Sequence, residues 1–347
     1  MPSDSAVHRF TSPARVSKRV QGGMSMAIGS LPHLSMSAAI ALSRSATDIV
    51  TIPTLPKRSP AESMIAQALV GLRGVTVGQY GSIAVDVASI DPLSPVRTNL
   101  DHDAFASFRA FLEGAADMTG PVKWQFVGPI TLGLALQRAG VPASTAFDVA
   151  VRAVRSHIQH LLDAVSQALP HCEQIVVLDE PEFAAVMEPG FALPPDVAVD
   201  LLSGALAVIE PVAVAGVHCC ADADWSSLIA AGPTLLSLPV RQSLVDSAGY
   251  LQRYLDSGGW IAWGAVATDG PVPMSAERPW KQLCALWCQL VQRGCDPSLL
   301  RQQSLITPAC GLGMHSSAVA ERVLRINREL SRRVRDQAAA TRFAFGA

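Results

Sequence analysis

Val212–Cys220, which reads Val-Ala-Val-Ala-Gly-Val-His-Cys-Cys, is the stretch that decides the fold. An apolar run that ends abruptly in polar, reactive side chains is typical of a strand buried on both faces of a parallel sheet. Ser304–Cys310, Ser-Leu-Ile-Thr-Pro-Ala-Cys, repeats this pattern. We therefore predict that His218, Cys220 and Cys310 lie just beyond the ends of two buried strands.

Eight apolar runs of this kind alternate along the chain with longer stretches of helical spacing. The predicted strands are Ser25–Gly29, Asp48–Ile52, Val122–Val127, Gln174–Leu178, Val212–Val217, Thr234–Leu238, Trp260–Gly264 and Ser304–Thr307. The predicted helices include Asp103–Met118, Ala143–Ala168, Pro195–Ile209, Ser275–Gln292 and Ser316–Gln337. Because strands that alternate with helices form parallel βαβ units, the sequence predicts an α/β protein.

Eight such units predict a (β/α)8 TIM barrel, a single catalytic domain over residues 24–340, since such barrels need roughly 250 residues. Residues 1–23 are predicted to be a flexible N-terminal extension. A doubly wound open sheet is the rival fold, but it would normally carry a glycine-rich phosphate loop after its first strand. Ile28–Pro32, Ile-Gly-Ser-Leu-Pro, is not such a loop. The polar motifs also follow several different strands, and a barrel collects all these strand ends on one face.

Composition limits the classes of partner. The chain has 347 residues, of which 49% are hydrophobic and 16% charged, so it can bury a large core. A net charge of −2 provides no basic face for nucleic acid, which is therefore not expected as a partner. The seven cysteines are unevenly spaced, unlike the framework of a secreted disulfide protein. This cysteine usage predicts a cytoplasmic location.

The mean hydropathy of +0.29 raises the question of a membrane span. The most apolar stretch, Val197–Val217, is interrupted by Asp200, Glu210 and Pro211, which is unfavourable for a spanning helix. The first residues of the chain lack the apolar core of a secretory signal. We therefore predict no membrane partner.

His218 and Cys220 are two residues apart on an extended segment, so their side chains point to the same side. Cys219 then points the other way, into packing. Cys310 follows a different strand, and the Gly-Leu-Gly after it allows close approach of the backbone. Two thiolates and an imidazole suit Zn²⁺, and three protein ligands leave a fourth position open, as in catalytic zinc sites. We predict that His218, Cys220 and Cys310 bind zinc.

Other thiols and imidazoles lack this context. Cys284 and Cys288 lie four residues apart in a helical pattern, which indicates packing in a core. His157 and His160 lie three residues apart on a predicted helix, and their arginine and glutamine neighbours indicate an exposed face.

Further polar groups follow the fourth and first predicted strands. The fourth is followed by Asp179, Glu180 and Glu182, which can bind a substrate ammonium, transfer protons or complete a metal shell. A surface loop of acids is the alternative. After the first strand, the hydroxyl of Ser30 and the backbone N–H groups nearby can hold a carboxylate.

Taken in order, these motifs resemble the carboxy-terminal catalytic barrel of cobalamin-independent methionine synthase. They also resemble the wider superfamily that includes uroporphyrinogen decarboxylase and the cobalamin-linked methyltransferases. The matching segments span almost the whole chain after Met24 and are Ile28–Pro32, Gly128–Thr131, Asp179–Pro181, His218-x-Cys220, Gly264 and Pro308–Leu312.

The resemblance implies zinc-dependent transfer of a methyl group to a small thiol such as homocysteine. It assigns His218, Cys220 and Cys310 as zinc ligands. It also places Ile28 and Ser30 at the amino-acid carboxylate of the substrate, and Asp179 at its amino group. Glu180, next to Asp179, is a further candidate for substrate binding.

Three departures from the family pattern affect the expected chemistry. Pro239 stands about where the family has a glutamate ligand, so water, the substrate or another acid such as Glu182 is left for the fourth position. The family's tryptophan after Gly-Pro-x-Thr is missing, as is its additional amino-terminal barrel. We therefore expect methylcobalamin or a corrinoid protein, rather than a folate, as the candidate methyl donor.

Three alternatives stay open. The same zinc-bound thiolate could add to another electrophile. A decarboxylase of the uroporphyrinogen type would use arginines to hold carboxylates, and Arg58 and Arg241 lie near predicted strand ends. A non-catalytic barrel would use zinc for stability or sensing.

Overall fold

One curled, eight-stranded parallel sheet organises the computed structural model, which describes residues 16, 19–78 and 81–344. A separate two-stranded hairpin lies between its second and third strands. In chain order the ten strands of the described residues are β1 Met24–Ser25, β2 Val50–Thr51, β3 Val75–Val77, β4 Ile83–Val85, β5 Gly120–Val127, β6 Cys172–Asp179, β7 Val214–His218, β8 Leu235–Pro239, β9 Trp260–Val266 and β10 Ser304–Pro308. The eight strands of the sheet correspond to the eight predicted from the sequence.

Helices follow most of these strands, as the alternating pattern predicts. They are α1 Met36–Ala46, α2 Met64–Ala68, α3 Ala106–Gly114, α4 Pro129–Arg138, α5 Ala143–Ala168, α6 Pro195–Leu206, α7 Trp225–Ala230, α8 Ala248–Asp256, α9 Glu277–Gln292, α10 Pro297–Gln302 and α11 Ser317–Ala344. Short 3-10 helices occupy Pro60–Glu62, Val87–Ser89, Asp103–Phe105, Pro181–Ala185 and Gln242–Ser247.

Local sequence explains where several elements form. All five residues of β7, and all five of β10, are buried, as expected for strands covered on both faces. Helix α4 begins at Pro129, whose missing N–H costs nothing in the first turn. Helix α5 has the bounds predicted for it because its apolar side chains recur at helical spacing over its whole length.

The sheet has the strand order β1-β10-β9-β8-β7-β6-β5-β2, with parallel pairing throughout. Its two edge strands, β1 and β2, meet through isolated bridges between Met26 and Ile49 and between Ser30 and Thr54. The regular ladder is therefore not closed. The α/β class and the eight parallel strands are confirmed, and the sheet curls as in a TIM-like barrel. One cause of the interruption is Gly29, whose φ of +144° takes the chain out of regular strand geometry.

The hydrophobic core has two parts, one on each face of the sheet. The larger part fills the space between the sheet and the helices. The smaller part lies inside the curl and draws side chains from almost every strand, including Met26, Ile175, Leu235 and Leu305. Alternate residues of the strands thus pack on opposite faces, and the inside of the sheet is a packed core.

Helix α11 secures β1 to β10 from outside the sheet. The side-chain nitrogen of Asn327 donates hydrogen bonds of 3.1 Å to the carbonyl oxygens of both Met26 and Ile306. Because Asn327 is fully buried, these bonds form away from water. Helix α11 therefore contributes to the geometry of the segment after β1 that carries Ile28 and Ser30.

Residues preceding the sheet also pack against it. Val20, within the predicted N-terminal extension, is buried against the inner core. Residues 1–15, 17 and 18 of that extension lie outside the described residues, so its flexibility stays a prediction. None of the helices in the described residues is long and apolar enough to cross a membrane.

His157 corrects one sequence-based expectation. His160 is exposed as predicted, but His157 is fully buried on the inner face of α5. It lies on the same apolar stripe as Val154, Ile158 and Leu161, which the neighbouring arginines obscured. One ring nitrogen lies 2.8 Å from Thr98 Oγ1 and the other 3.2 Å from the carbonyl oxygen of Ala68. His157 thus connects α5 to the segment that includes the β3–β4 hairpin.

This environment predicts a pH-dependent stability. Burial lowers the pKa of His157 from 6.5 to about 4. The unfolded chain binds a proton near pH 6.5 and the folded chain does not until about pH 4, so stability falls as pH falls between these values. We expect this group to contribute ~3 kcal/mol to that loss, and His157→Gln to remove it from the pH dependence of urea unfolding. His160→Gln is the control and should keep the wild-type slope; equal slopes for all three proteins would contradict the assignment.

Candidate metal and substrate site

Backbone register brings the polar side chains of three neighbouring strands together. Asp179, the last residue of β6, pairs with His218, the last residue of β7. His218 in turn pairs with Ser237 on β8. Since paired residues of adjacent strands lie side by side, these three positions form one row at the carboxyl ends of the strands.

His218, Cys220 and Cys310 form a candidate metal-binding group. Their ligand atoms all lie within 4.8 Å of one another. The Nε2 atom of His218 is buried and has no hydrogen-bond partner among the described residues, whereas its Nδ1 atom lies 2.9 Å from Ser237 Oγ. An unpartnered buried nitrogen is costly, and a metal ion would satisfy it. Cys219 is fully buried on the opposite side, as the strand alternation predicts.

The two thiols of this group have opposite acid–base tendencies. A hydrogen bond from the Cys310 thiol, together with the adjacent His218, lowers the pKa of Cys220. The same hydrogen bond, together with burial, raises the pKa of Cys310. One thiolate is thus favoured even before a cation neutralises the pair. Two sulfur ligands and one imidazole nitrogen fit a borderline-soft divalent ion such as Zn²⁺.

No carboxylate of the described residues joins this group. Pro239 ends β8 where the family glutamate was expected. Glu182, the alternative acid, forms a two-pronged ion pair with Arg138, with both N–O distances at 2.7 Å. The candidate group in the described residues therefore contains three side chains, and Glu182 is held elsewhere by its partner.

A cavity of about 400 Å³ adjoins the metal-binding group. Six of the seven predicted site residues line it, namely Ile28, Ser30, Asp179, His218, Cys220 and Cys310. Gln125 and Met64 also line it, and the highly exposed Met314 lies at its rim. The cavity is large enough for a small organic substrate.

Asp179 lines this cavity and has one carboxylate oxygen without a partner. Its Oδ1 atom is buried and has no hydrogen-bond partner among the residues that the structure describes. Burial raises the pKa of Asp179, and the nearby His218 and Lys123 oppose that rise. A cationic hydrogen-bond donor, such as a substrate ammonium, would stabilise the ionised form of this carboxylate.

Ser30 links the first strand to the loop that carries Cys310. Its carbonyl oxygen accepts a hydrogen bond of 2.9 Å from the N–H of Leu312, and its hydroxyl oxygen accepts one of 3.2 Å from Gly313. A side chain at Gly311 would lie only 2.3 Å from the Ser30 hydroxyl. Ser30 therefore lines the cavity and also fixes the loop after β10.

Glu180 was a candidate for substrate binding because it is next to Asp179, but its side chain lies in a different environment. Its carboxylate is fully buried and accepts hydrogen bonds from the N–H groups of Ile130 and Thr131, each 2.8 Å, and from the Thr131 hydroxyl. Burial raises the pKa of Glu180 to about 7. These contacts place it at the N-terminus of α4, which its negative charge stabilises, and outside the cavity lining.

Three residues near the site were not singled out from the sequence. Ser237 contacts His218, and Lys123 and Gln125 lie on the inner face of β5. The sequence contains a signal for each of them. Ser237 is a hydroxyl within the apolar run Leu235–Leu238, and Lys123 and Gln125 are polar residues two positions apart within a predicted strand. Cys288 is also corrected: it is exposed, because the buried face of α9 runs through Leu283, Trp287 and Leu290.

The chain matches no model of a known protein family, and a search of curated proteins gives no match either.

The contact between Ser237 and His218 predicts an effect on metal affinity. Residues that orient a ligating histidine typically change metal affinity 10- to 100-fold when they are removed. We expect Ser237→Ala to weaken Zn²⁺ binding by about that factor, measured by competition with a chromophoric chelator. Ser243→Ala removes a surface hydroxyl that bonds to Asp222 and should bind like wild type. Wild-type affinity in Ser237→Ala would show that Ser237 does not orient the ligand.

Proposed function

We propose that this protein is a zinc-dependent methyltransferase of the methionine-synthase type, acting on a small thiol such as homocysteine. One observation carries the proposal: the ligand atoms of His218, Cys220 and Cys310 lie within 4.8 Å of one another beside a cavity lined by Asp179. The proposal includes a (β/α)8 barrel closed between β1 and β2, which the two isolated bridges support.

Each side chain has a defined task in this proposal. The three ligands hold the ion, and Ser237 fixes the ring of His218. When bound, Zn²⁺ supplies thiolate character to the substrate sulfur at neutral pH, which makes the sulfur a nucleophile. Asp179 accepts hydrogen bonds from the substrate ammonium through its unpaired Oδ1, so the substrate is held at two points and its sulfur is oriented.

The methyl donor is proposed only as a chemical class. Methylcobalamin or a corrinoid protein is our candidate, because Gly133-Leu134-Ala135 follows Gly-Pro-x-Thr where the folate-using synthase has a tryptophan. A cytoplasmic location is also proposed. It is supported by the cysteines, all seven of which are free thiols.

The decarboxylase alternative has less support. Arg58 pairs with Glu62 and Asp103, at 2.6 and 2.8 Å, and Arg241 pairs with Asp269 at 3.2 Å. Both arginines are thus engaged by protein carboxylates, whereas that chemistry needs them for the substrate. A non-catalytic zinc site would be closed, and the presence of the group at an open cavity argues against it.

Metal content tests the ligand assignment. We expect about one zinc per wild-type chain after purification without chelator, and loss of most of it in Cys220→Ser and Cys310→Ser, since each variant removes one of only three ligands. Circular dichroism should stay unchanged because these residues lie at strand ends. Cys288→Ser, an exposed cysteine on α9, is the matched control and should keep its zinc. Zinc-free wild type, or equal loss in the control, would rule out this site.

Product formation tests the reaction. Zinc-loaded protein given L-homocysteine and methylcobalamin should form methionine, detected by mass spectrometry, and Cys310→Ser should not. Absence of methionine with every methyl donor tried would reject the methyltransferase proposal. Formation of a thioether from an alkyl electrophile alone would favour the alternative in which the thiolate adds to other electrophiles.

A further inference from the structure

The inner face of β5 carries two polar residues where the other strands supply apolar ones. Trp124 and Phe126 pack in the outer core, so the alternating residues Lys123 and Gln125 face the inside of the sheet. On the adjacent strand β6, the residues paired with them are Ile175 and Val177, both in the apolar inner core. An ammonium group and an amide therefore lie at positions that normally exclude them.

Burying Lys123 is energetically unfavourable. Its side chain is only 1% exposed, and burial lowers its pKa to about 8 even though Asp179 acts in the opposite direction. A buried cation survives when its donors find partners. Here the ammonium donates to the carbonyl oxygen of Ile28 and to Gln125 Oε1, the latter at 2.9 Å. Both partners belong to residues that line the cavity.

The ammonium fixes the orientation of the Gln125 amide. A protonated lysine has only donors, so the amide atom that faces it has to be the oxygen. The Nε2 atom must then lie on the side of the amide away from Lys123. A rotation of the amide by half a turn would set N–H groups against an ammonium, which is unfavourable.

Gly29 constrains the same amide from a second direction. A side chain at Gly29 would lie 2.1 to 2.2 Å from Cδ, Oε1 and Nε2 of Gln125, so all three amide atoms lie against the glycine backbone. The φ of +144° at Gly29 is also one that other residues rarely adopt. The absence of a side chain at Gly29 is thus what leaves room for the amide.

The hydrogen bond of Gln125 to Lys123 uses its Oε1 atom, and no acceptor among the described residues bonds to its Nε2 atom. Gln125 also lines the cavity. Its register places it one inward position deeper than Asp179, since Gln125 pairs with Val177 and Val127 pairs with Asp179. The cavity thus has an oriented donor toward its floor and an unpaired acceptor, Asp179 Oδ1, on the next strand.

We propose that Gln125 is a specificity-determining residue that donates a hydrogen bond to a carboxylate oxygen of the thiol substrate, with Lys123 as the residue that positions it. This inference rests on the proposed function and narrows its substrate class to thiols that carry both a carboxylate and an ammonium. The sulfur would lie at His218, Cys220 and Cys310, and the ammonium at Asp179. The carboxylate would lie at Gln125, whose amide packs against Gly29, between the residues Ile28 and Ser30 that the resemblance places at this carboxylate.

The test compares two thiols that differ in the carboxylate alone. L-homocysteine has it, and 3-aminopropane-1-thiol does not. Dissociation constants are measured by calorimetry on zinc-loaded wild type and on Gln125→Met, which is similar in length but has no donor. We expect Gln125→Met to weaken homocysteine binding ~10- to 100-fold, the usual effect of losing a hydrogen bond to a charged group, and to leave aminopropanethiol binding unchanged.

Two further variants keep the test decisive. Gln125→Glu can still accept from Lys123 but presents a negative charge to the substrate carboxylate, so it should reduce the preference for homocysteine at least as much. Lys123→Met frees the amide to rotate and should reduce the same preference by a smaller factor. Zinc content reports on folding in each variant, because neither residue belongs to the metal group.

The outcomes separate the two proposals. Wild type that binds both thiols, with a preference for homocysteine that Gln125→Met and Gln125→Glu retain, would overturn the role of Gln125 and leave the proposed function intact. An equal loss of both thiols in the variants would mean that Gln125 only supports the structure, which also overturns it. Wild type that binds neither thiol would overturn the proposed function together with this inference.

Discussion

The parallel pairing of β6, β7 and β8 is the constraint on which the site depends. This pairing sets Asp179 beside His218 and His218 beside Ser237. Because side chains alternate along a strand, a shift of one residue in any of these ladders would turn the affected side chain away from the cavity. The apolar residues that precede each of them hold the register, since they pack on both faces of the sheet. The arrangement of the side chains at the strand ends is thus a consequence of packing several residues deeper.

The interior of the sheet contains more ionisable groups than its apolar strands suggest. Lys123 is buried and Asp179 is partly buried, and burial shifts their pKa values in opposite directions, toward the neutral form of each. Each group also moderates the shift of the other, because their charges attract. Glu180 is stabilised in another way, by three hydrogen bonds from the start of α4. Lys123 and Glu180 are therefore compensated by local hydrogen bonds, whereas Asp179 keeps one oxygen without a partner among the described residues.

Sequence alone predicted the architecture well because it depends on local patterns. All eight strand positions follow from apolar runs, and α5 has the predicted bounds. The proximity of His218 and Cys220 also follows from a local rule, because alternate residues of an extended segment point to the same side. The same rule applied to β6 would have separated Asp179 from Glu180, because neighbouring residues point to opposite faces.

Other features depend on pairing between distant segments, which one sequence does not specify. Ser237 lies at the site because it pairs with His218 on β7. The side-chain amide of Gln125 is held by Lys123 on the same strand and by Gly29 from a distant part of the sequence. The burial of His157 reflects the segment that covers α5, and the exposure of Cys288 reflects which face of α9 meets the sheet. The gap in the ladder between β1 and β2 likewise arises from a backbone conformation at Gly29. That gap has a mechanical meaning. Seven neighbouring strand pairs hold the sheet through regular ladders, whereas β1 and β2 are joined by two isolated bridges, one of them between the cavity-lining residues Ser30 and Thr54. The cavity wall is consequently more compliant along this line than along the long β5–β6 ladder, and a bulky guest would widen it there at a smaller cost in broken backbone hydrogen bonds than between β5 and β6.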